Sequence, residues 1–266
     1  MSFYGHKFIF GGISCENYEL MVYDIGGGGE DDSPFAGVVK INDEVVGSRW
    51  KPYFYGVTYE KKLEHEITFG VNMDRIDAGR YLTRPEIDEI ATWLTGHDKY
   101  QVLEIEQDDM TWVRYKCIVT QLSVVNYGRI PYTFKATFTC DSPYAYEYPR
   151  DYTFVVTGNR TVTLFNESCL HGFYYPVIEI INPGESVMIE NLTDNGRTFS
   201  LSDIPGAVNQ ITVNNDTKVI TNDQSLNIYG GCNFKFFRLV KGTNRIRITG
   251  SCTVKIKCEF PVNTGA

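Results

Sequence analysis

The residues with the most obvious chemical potential lie side by side: Glu64, His65 and Glu66. On a strand, carboxylates at i and i+2 share a face about 7 Å apart, a separation that an acid pair of a glycoside hydrolase could use. The neighbouring residues argue for a plainer role. Leu63, His65, Ile67, Phe69 and Val71 alternate with Glu64, Glu66 and Thr68, which places both acids on the solvated face of a half-buried strand. His65 and Glu66 also open an H-E-x-x-H match, but Phe69 stands where the second histidine belongs and the period is that of a strand. His65 is therefore expected on the apolar face with its ring nitrogens hydrogen-bonded.

Other reactive residue types fare no better. Cys169 and His171 are close in sequence, but a nucleophilic thiol needs a depressed pKa that nothing in the spacing supplies. No G-x-S-x-G motif is present, and His6, His65, His97 and His171 each lack a pattern that would bring a nucleophile to them. Asp108 and Asp109 could hold a cation, yet adjacent side chains on a turn diverge and no further oxygen ligands are spaced to join them. Gly26 to Ser33, four glycines followed by Glu30, Asp31 and Asp32, lacks phosphate-loop spacing and would repel an anion; it reads as a flexible loop. No catalytic residue, metal ligand or cofactor motif emerges, so the sequence is not that of a recognisable enzyme.

Charge and cysteine usage narrow the classes further. The net charge of −8 is uneven: residues 1–148 carry 23 acidic and 14 basic side chains, whereas 149–266 is close to neutral. This is the opposite of a phosphate-gripping footprint, which argues against specific nucleic-acid binding. Seven cysteines follow no framework or metal spacing. Cys252 and Cys258 lie in one apparent strand about 20 Å apart, too far to bridge. There is no leader-like start and no apolar run of membrane-span length, so folding in a reducing cytoplasm is expected. The Asn-x-Ser/Thr matches at Asn159, Asn166, Asn191 and Asn215 are then read mostly as turn residues.

These residues must be positioned by strands, because only one stretch reads as a helix. Thr83 and Glu86 have capping-box spacing, Pro85 sits in the first turn and Gly96 follows the last, which predicts a helix over 84–95. Ile87, Ile90, Ala91 and Leu94 form its apolar stripe opposite Asp88, Glu89 and Thr92, as if laid against a sheet. Around it run strand sequences: Phe8–Phe10, Tyr18–Val22, the aromatic stretch Trp50–Tyr59, Leu63–Val71, a hairpin from Tyr100–Glu106 and Thr111–Val119, and the alternation Tyr132–Phe138. Asp141-Ser142-Pro143 stops the last of these, and residues 141–150 coincide with the charge shift. Two domains are expected, 1–148 and 149–266.

The second half shows no helix signature. Short apolar segments recur at 152–156, 161–165, 176–181, 186–190, 197–201, 210–213, 217–221, 225–229, 233–240, 244–249 and 252–260, punctuated by turns such as Asp194-Asn195-Gly196. That spacing predicts a jelly-roll-like β-sandwich. Sandwiches of this kind often recognise sugars through exposed aromatics. All three tryptophans, Trp50, Trp93 and Trp112, fall in the first half, leaving Tyr174, Tyr175 and Tyr229 as candidates for a glycan platform.

The whole arrangement resembles the distal tail proteins of long non-contractile-tailed bacteriophages and related prophages. The resemblance rests on Phe8-Ile-Phe-Gly-Gly-Ile-Ser-Cys15 with Tyr18 after it, on Arg49-Trp-Lys-Pro-Tyr-Phe-Tyr-Gly56, on the single helix within a β domain, on Asp141-Ser-Pro-Tyr-Ala-Tyr146, and on Asn233-Phe-Lys-Phe-Phe-Arg-Leu-Val-Lys-Gly-Thr-Asn-Arg-Ile246. It implies an N-terminal ring-forming β domain, sandwich- or barrel-like with one helix, and a C-terminal galectin-like or carbohydrate-module-like sandwich. It further implies a homo-hexameric ring at the virion tail tip, assembled in the host cytoplasm. That ring would contact the tail tube protein, the tail-associated hub protein and receptor-binding or baseplate proteins, with DNA passing through its centre. Phe8, Phe10, Trp50, Tyr53 and Tyr55 are the candidates for ring contacts or, equally, for the core of one subunit. The competing readings are a stand-alone carbohydrate-binding sandwich and, further back, a glycoside hydrolase.

Overall fold

A computed structural model of the 266-residue chain describes residues 6–25, 39–47, 50–59, 62–72, 80–107, 111–127 and 129–263. Gly26 to Ser33, Asp108 and Asp109 lie outside the described residues. The chain is mainly β and divides into two compact units, Met1–Tyr146 with Asn263–Ala266, and Glu147–Val262.

In the first unit the strands are β1 (Phe8–Phe10), β2 (Ile13–Ser14), β3 (Leu20–Ile25), β4 (Val39–Glu44), β5 (Tyr53–Tyr59), β6 (Glu64–Val71), β7 (Gln101–Ile105), β8 (Val113–Tyr127) and β9 (Ile130–Cys140). β10 (Ala145–Glu147) leads out of it. One sheet runs in the order β2-β1-β7-β8-β9-β6-β3, while β4 and β5, among the described residues, pair only with each other. The alternation along β6 is met: Leu63, His65, Ile67, Phe69 and Val71 are buried, and Glu64 and Glu66 are exposed.

Helix α1 (Arg84–Thr95) begins and ends where its caps require. The Thr83 N–H and hydroxyl both donate to Glu86 Oε2 at 2.7 Å, and Arg80 Nη2 donates to Glu86 Oε1 at 2.5 Å. This fork draws the Glu86 carboxyl down to about 2, chiefly through Arg80. The buried stripe is Ile90, Trp93 and Leu94, with Ile87 and Ala91 only half-buried. Trp93 had no place in the expected stripe, yet it does most to seat the helix. Its indole stacks on Phe8 at 5.7 Å and on Tyr18 at 4.9 Å, and its Nε1–H donates to Phe10 O at 3.1 Å.

The second unit contains β11 (Arg150–Asn166), β12 (Val177–Ile181), β13 (Val187–Asn191), β14 (Arg197–Leu201), β15 (Gln210–Asn214), β16 (Val219–Asn222), β17 (Gly242–Cys258) and β18 (Pro261–Val262). Two corrections to the sequence expectation follow. The four short segments at 152–156, 161–165, 244–249 and 252–260 are parts of two 17-residue strands paired along their whole length. Within that pairing Gly158 faces Gly250, and both have positive φ, 86° and 144°. Beyond β11, the other edge of β17 pairs with β13 over Ile246–Gly250 and with β12 over Thr253–Lys257. One long sheet is thus folded at a glycine corner into the two layers of a sandwich.

The second correction concerns 225–229 and 233–240, which are not strands. Phe234 has φ 57°, where a strand cannot continue, yet Phe236, Phe237 and Leu239 are buried in the core. Leu239 forms a single backbone bridge to Tyr174, and other backbone groups of the segment are met by side chains. Phe237 N–H donates to Asn215 Oδ1 at 2.8 Å, and Arg238 O accepts from Asn191 Nδ2 at 2.9 Å. Val240 O accepts from Asn166 Nδ2 and Asn244 Nδ2, and Val240 N–H donates to Asn244 Oδ1. Asn166, Asn191, Asn215 and Asn244 are all essentially inaccessible to solvent. Three of them are the asparagines of N-x-Ser/Thr matches, whose side chains are therefore committed inside the fold.

Candidate functional site

The most unusual surface is the β4–β5 hairpin. Its ladder is complete enough to hold it extended, with Tyr55 as an extra residue where the register shifts between Asn42 and Asp43. Gly56, at φ 108°, accommodates that bulge. Apart from the ladder, Tyr55 Oη donates to Glu44 Oε2 at 3.1 Å and Asn42 Nδ2 to Thr58 Oγ1 at 3.4 Å, both in solvent.

Apolar side chains are left open on this arm. Trp50 is 94% exposed, Val45 77%, Phe54 66% and Tyr55 65%, with Ile41, Val57 and Tyr53 also exposed. A two-stranded hairpin is marginal in water without a third strand or a covering element. Large apolar side chains exposed together on one arm mark a candidate interaction surface. The five candidate residues thus separate. Phe8 and Phe10 are fully buried, packed edge-on against Phe138 at 5.7 and 5.2 Å, and belong to the core of the unit. Trp50, Tyr53 and Tyr55 stay on the outside.

The proposed glycan platform does not assemble. Tyr174 is half-buried on Phe260, its hydroxyl donating to Glu259 O at 3.2 Å and accepting from Glu259 N–H at 2.7 Å. Burial pushes its phenol well above the usual range. Tyr229 uses its hydroxyl to accept from Ile220 N–H at 2.7 Å, and Tyr175 is half-buried. The exposed aromatic residues of this unit include Phe234, which stacks on Tyr229 at 6.2 Å, with Phe165, Tyr148 and Phe173.

Arg238, which lies on the Phe173 ring, belongs to a polar cleft that sequence reasoning missed. Its volume is about 350 Å³, and Asp194, Arg197, Thr198, Asn233, Lys235 and Arg238 line it. The turn Asp194–Arg197 has positive φ at Asn195 and Gly196, the turn the sequence signalled. Arg238 lies 3.3 Å above the Phe173 ring and forks onto Asp194, through Nε to Oδ2 at 2.7 Å and Nη2 to Oδ1 at 3.1 Å. Arg197 Nε donates to Phe236 O at 2.9 Å. Asn233 accepts from Ser200 N–H and Lys235 N–H and donates to Thr198 O. The cleft is held rigid from several sides and carries more positive than negative charge.

The other sequence candidates are placed in ordinary surroundings. Glu66 pairs with Lys135 at 3.2 Å and Glu64 accepts from Thr139 Oγ1 at 3.4 Å, both on the open face. Cys169 is half-buried and its thiol is pushed up by that burial, while His171 is exposed. Among the described residues no cluster of three or more His, Cys, Asp or Glu is arranged to hold a metal ion, and no helix is long and apolar enough to cross a membrane.

Comparison with known proteins gives these surfaces a context. A family model described as a phage tail protein N-terminal domain matches residues 3–142, and one described as a phage tail C-terminal domain matches 144–258. Among solved structures, the chain is similar to the SPP1 Dit protein (gp 19.1), described as a paradigm of the hub adsorption apparatus in phages that infect Gram-positive bacteria. The TM-score is 0.67 at 12% identity, covering 96% of this chain and 98% of that one. At that identity the likeness speaks for the fold alone. No curated protein sequence matches the chain.

Proposed function

Because the chain belongs to the phage tail protein family through both of its halves, we propose that it forms a homo-hexameric ring at the tail tip. In this reading the first unit builds the ring and joins the tail tube protein to the tail-associated hub protein. The second unit carries receptor-binding or baseplate proteins, and the ring is assembled in the host cytoplasm before it enters the virion tail. The observation that carries the proposal is the β4–β5 arm. Exposed apolar side chains are liabilities unless another chain covers them, and a head-to-tail ring of identical subunits covers every arm with no unsatisfied end. The acidic balance of residues 1–148 suits a channel that DNA passes without sticking. Replacing the acids that line the channel by lysine is expected to slow ejection, and unchanged ejection would count against that part.

The direct test is the solution mass of the purified chain by light scattering, with negative-stain images of the same peak. Six chains and ring views are expected. The double change Trp50→Ala with Tyr55→Ala should leave a folded monomer and remove the ring; rings that persist in that variant would refute the arm's role.

The polar cleft favours a second reading for the second unit alone: contact with an acidic saccharide, whose hydroxyls and negative charge suit Arg197, Lys235 and Asn233 beside an aromatic face. An array of charged and neutral glycans probed with the full chain should show binding that Lys235→Glu abolishes, and no binding to any glycan would remove this reading.

A further inference from the structure

Away from these surfaces, the core of the first unit buries a pair of thiols that none of the preceding roles uses. Cys117 on β8 and Cys140 at the end of β9 are direct cross-strand partners. The Asp141 N–H donates to Lys116 O at 2.8 Å. In an antiparallel ladder that bond, one residue beyond each cysteine, makes Cys117 and Cys140 a non-hydrogen-bonded pair. Such pairs bring their Cα atoms to about 4.5 Å with side chains leaning together. This is inside the span of about 4.4–6.8 Å that a disulfide bridges. The sulfur atoms are already 3.1 Å apart, and both residues are inaccessible to solvent. Cys252 and Cys258, six residues apart along one strand, are the contrasting case.

The surroundings prepare one of the two for reaction. His65 lies beside the pair, edge-on to Tyr115 at 4.3 Å. The hydrogen bond from Cys117, followed by His65, draws the Cys140 thiol below its ordinary range against the opposing effect of burial. Burial pushes Cys117 the other way. The pair therefore combines a thiolate donor with a neighbouring thiol that can resolve it.

We propose that Cys117 and Cys140 are a peroxide-oxidisable dithiol that closes into an intramolecular disulfide across β8 and β9. The Cys140 thiolate attacks one oxygen of hydrogen peroxide; the O–O bond breaks, and the departing hydroxide takes up a proton to become water. Cys140 is then a sulfenic acid. Cys117 Sγ attacks Cys140 Sγ, the S–O bond breaks, and the leaving oxygen takes the Cys117 proton to form a second water. Two thiols give up two electrons, and one peroxide accepts both. Hydrogen peroxide is close to water in size, so small fluctuations of the sheet admit it to a site that excludes a bulky aromatic disulfide. The cross-link constrains the unfolded chain between β8 and β9, which raises the Tm of the first unit on the order of 5–10 °C. A protein made in a reducing cell and used outside it would gain this brace only after release. The chemistry itself is independent of the ring reading.

The test treats the full chain with hydrogen peroxide, blocks remaining thiols, digests it and maps the peptides by mass spectrometry. The expected product is one cross-linked pair containing Cys117 and Cys140, two hydrogens lighter, reversed by dithiothreitol and accompanied by the rise in Tm. Cys117→Ser should instead leave Cys140 as a sulfenic acid, captured by dimedone when the peroxide-treated chain is unfolded in denaturant containing the probe. Recovery of both cysteines as blocked thiols, or of Cys140 as sulfinic acid beside an unmodified Cys117, would overturn the proposal. The wild-type peptide map decides the question even if the serine variant does not fold.

Discussion

The β4–β5 arm and the segment 233–240 solve opposite halves of the same problem. In the arm, backbone groups find partners across a two-stranded ladder while the side chains, Trp50 and Tyr55 among them, stay uncovered. In 233–240 the side chains of Phe236, Phe237 and Leu239 are covered while the backbone has no ladder beyond the single Leu239–Tyr174 bridge, and buried asparagines supply bonds that a strand partner would have made. Burial of apolar surface and pairing of backbone groups are separate requirements, and strands usually meet both at once. Where only the second is met, the chain is unfinished and needs a partner. Where only the first is met, it needs side chains of a particular kind at particular positions, and then it needs nobody.

Perturbing each region tests that contrast. The largest effect is expected for Asn244→Ala, which strips the bonds to Val240 N–H, Val240 O and Gly242 O from a fully buried site. Unfolding of the second unit by urea, followed by circular dichroism, should show a loss of roughly 2–4 kcal/mol. A change below about 0.5 kcal/mol would mean that water takes over the amide's role, and the contrast would fail.

Next comes the glycine corner. Gly250→Ala must hold φ near 144° and sets its methyl 3.0 Å from Ser186 O, whereas Gly158→Ala meets open space at φ 86°. A cost of about 1–3 kcal/mol is expected at position 250 and a smaller one at 158, from backbone strain alone. Equal costs would show that the corner is not set by the contact with Ser186.

A smaller effect belongs to the helix cap. Glu86 has its carboxyl lowered from 4.5 to about 2 by Arg80 and Thr83. Its contribution to stability is therefore present above pH 4.5 and is lost as the pH falls towards 2. Because a third of its side chain is exposed, the contribution is below about 1 kcal/mol. The Tm advantage of wild type over Glu86→Gln should shrink between pH 5 and pH 2, and a gap that stays constant would assign it to packing instead. Smallest of all is the effect of Trp50→Ala on the isolated chain. It should lie within about 0.5 kcal/mol of zero, since a side chain 94% exposed loses almost nothing on truncation. Its whole consequence should appear in assembly.

The same contrast explains how far the sequence could be read. Strand β6 and helix α1 were legible because each follows a single period bounded by its own stop signals. The aromatic stretch Trp50–Tyr59 was legible as a strand, but its exposure was not: nothing local tells whether an aromatic residue faces its own core or another chain. Segment 233–240 was misread because Phe236, Phe237 and Leu239 look like strand residues. The facts that decide otherwise, a left-handed Phe234 and asparagines up to 74 positions away, are properties of the assembled fold. Trp93 escaped the helical stripe because its neighbours pointed to Ala91. The cleft was invisible for a related reason: Asp194 and Arg238 meet only once the sandwich is closed, although the Asn195-Gly196 turn at its rim was plain.

The pairing of Arg150 with Cys258 carries a mechanical meaning. Both of the unit's longest strands present an end at that corner, β11 its first residue and β17 its last. A pull that draws Arg150 and Cys258 apart opens the ladder one rung at a time, like a zip, whereas a pull from Arg150 to Gly242 loads all of its rungs together. Force led along the two strands therefore meets far more resistance than force that parts their paired ends.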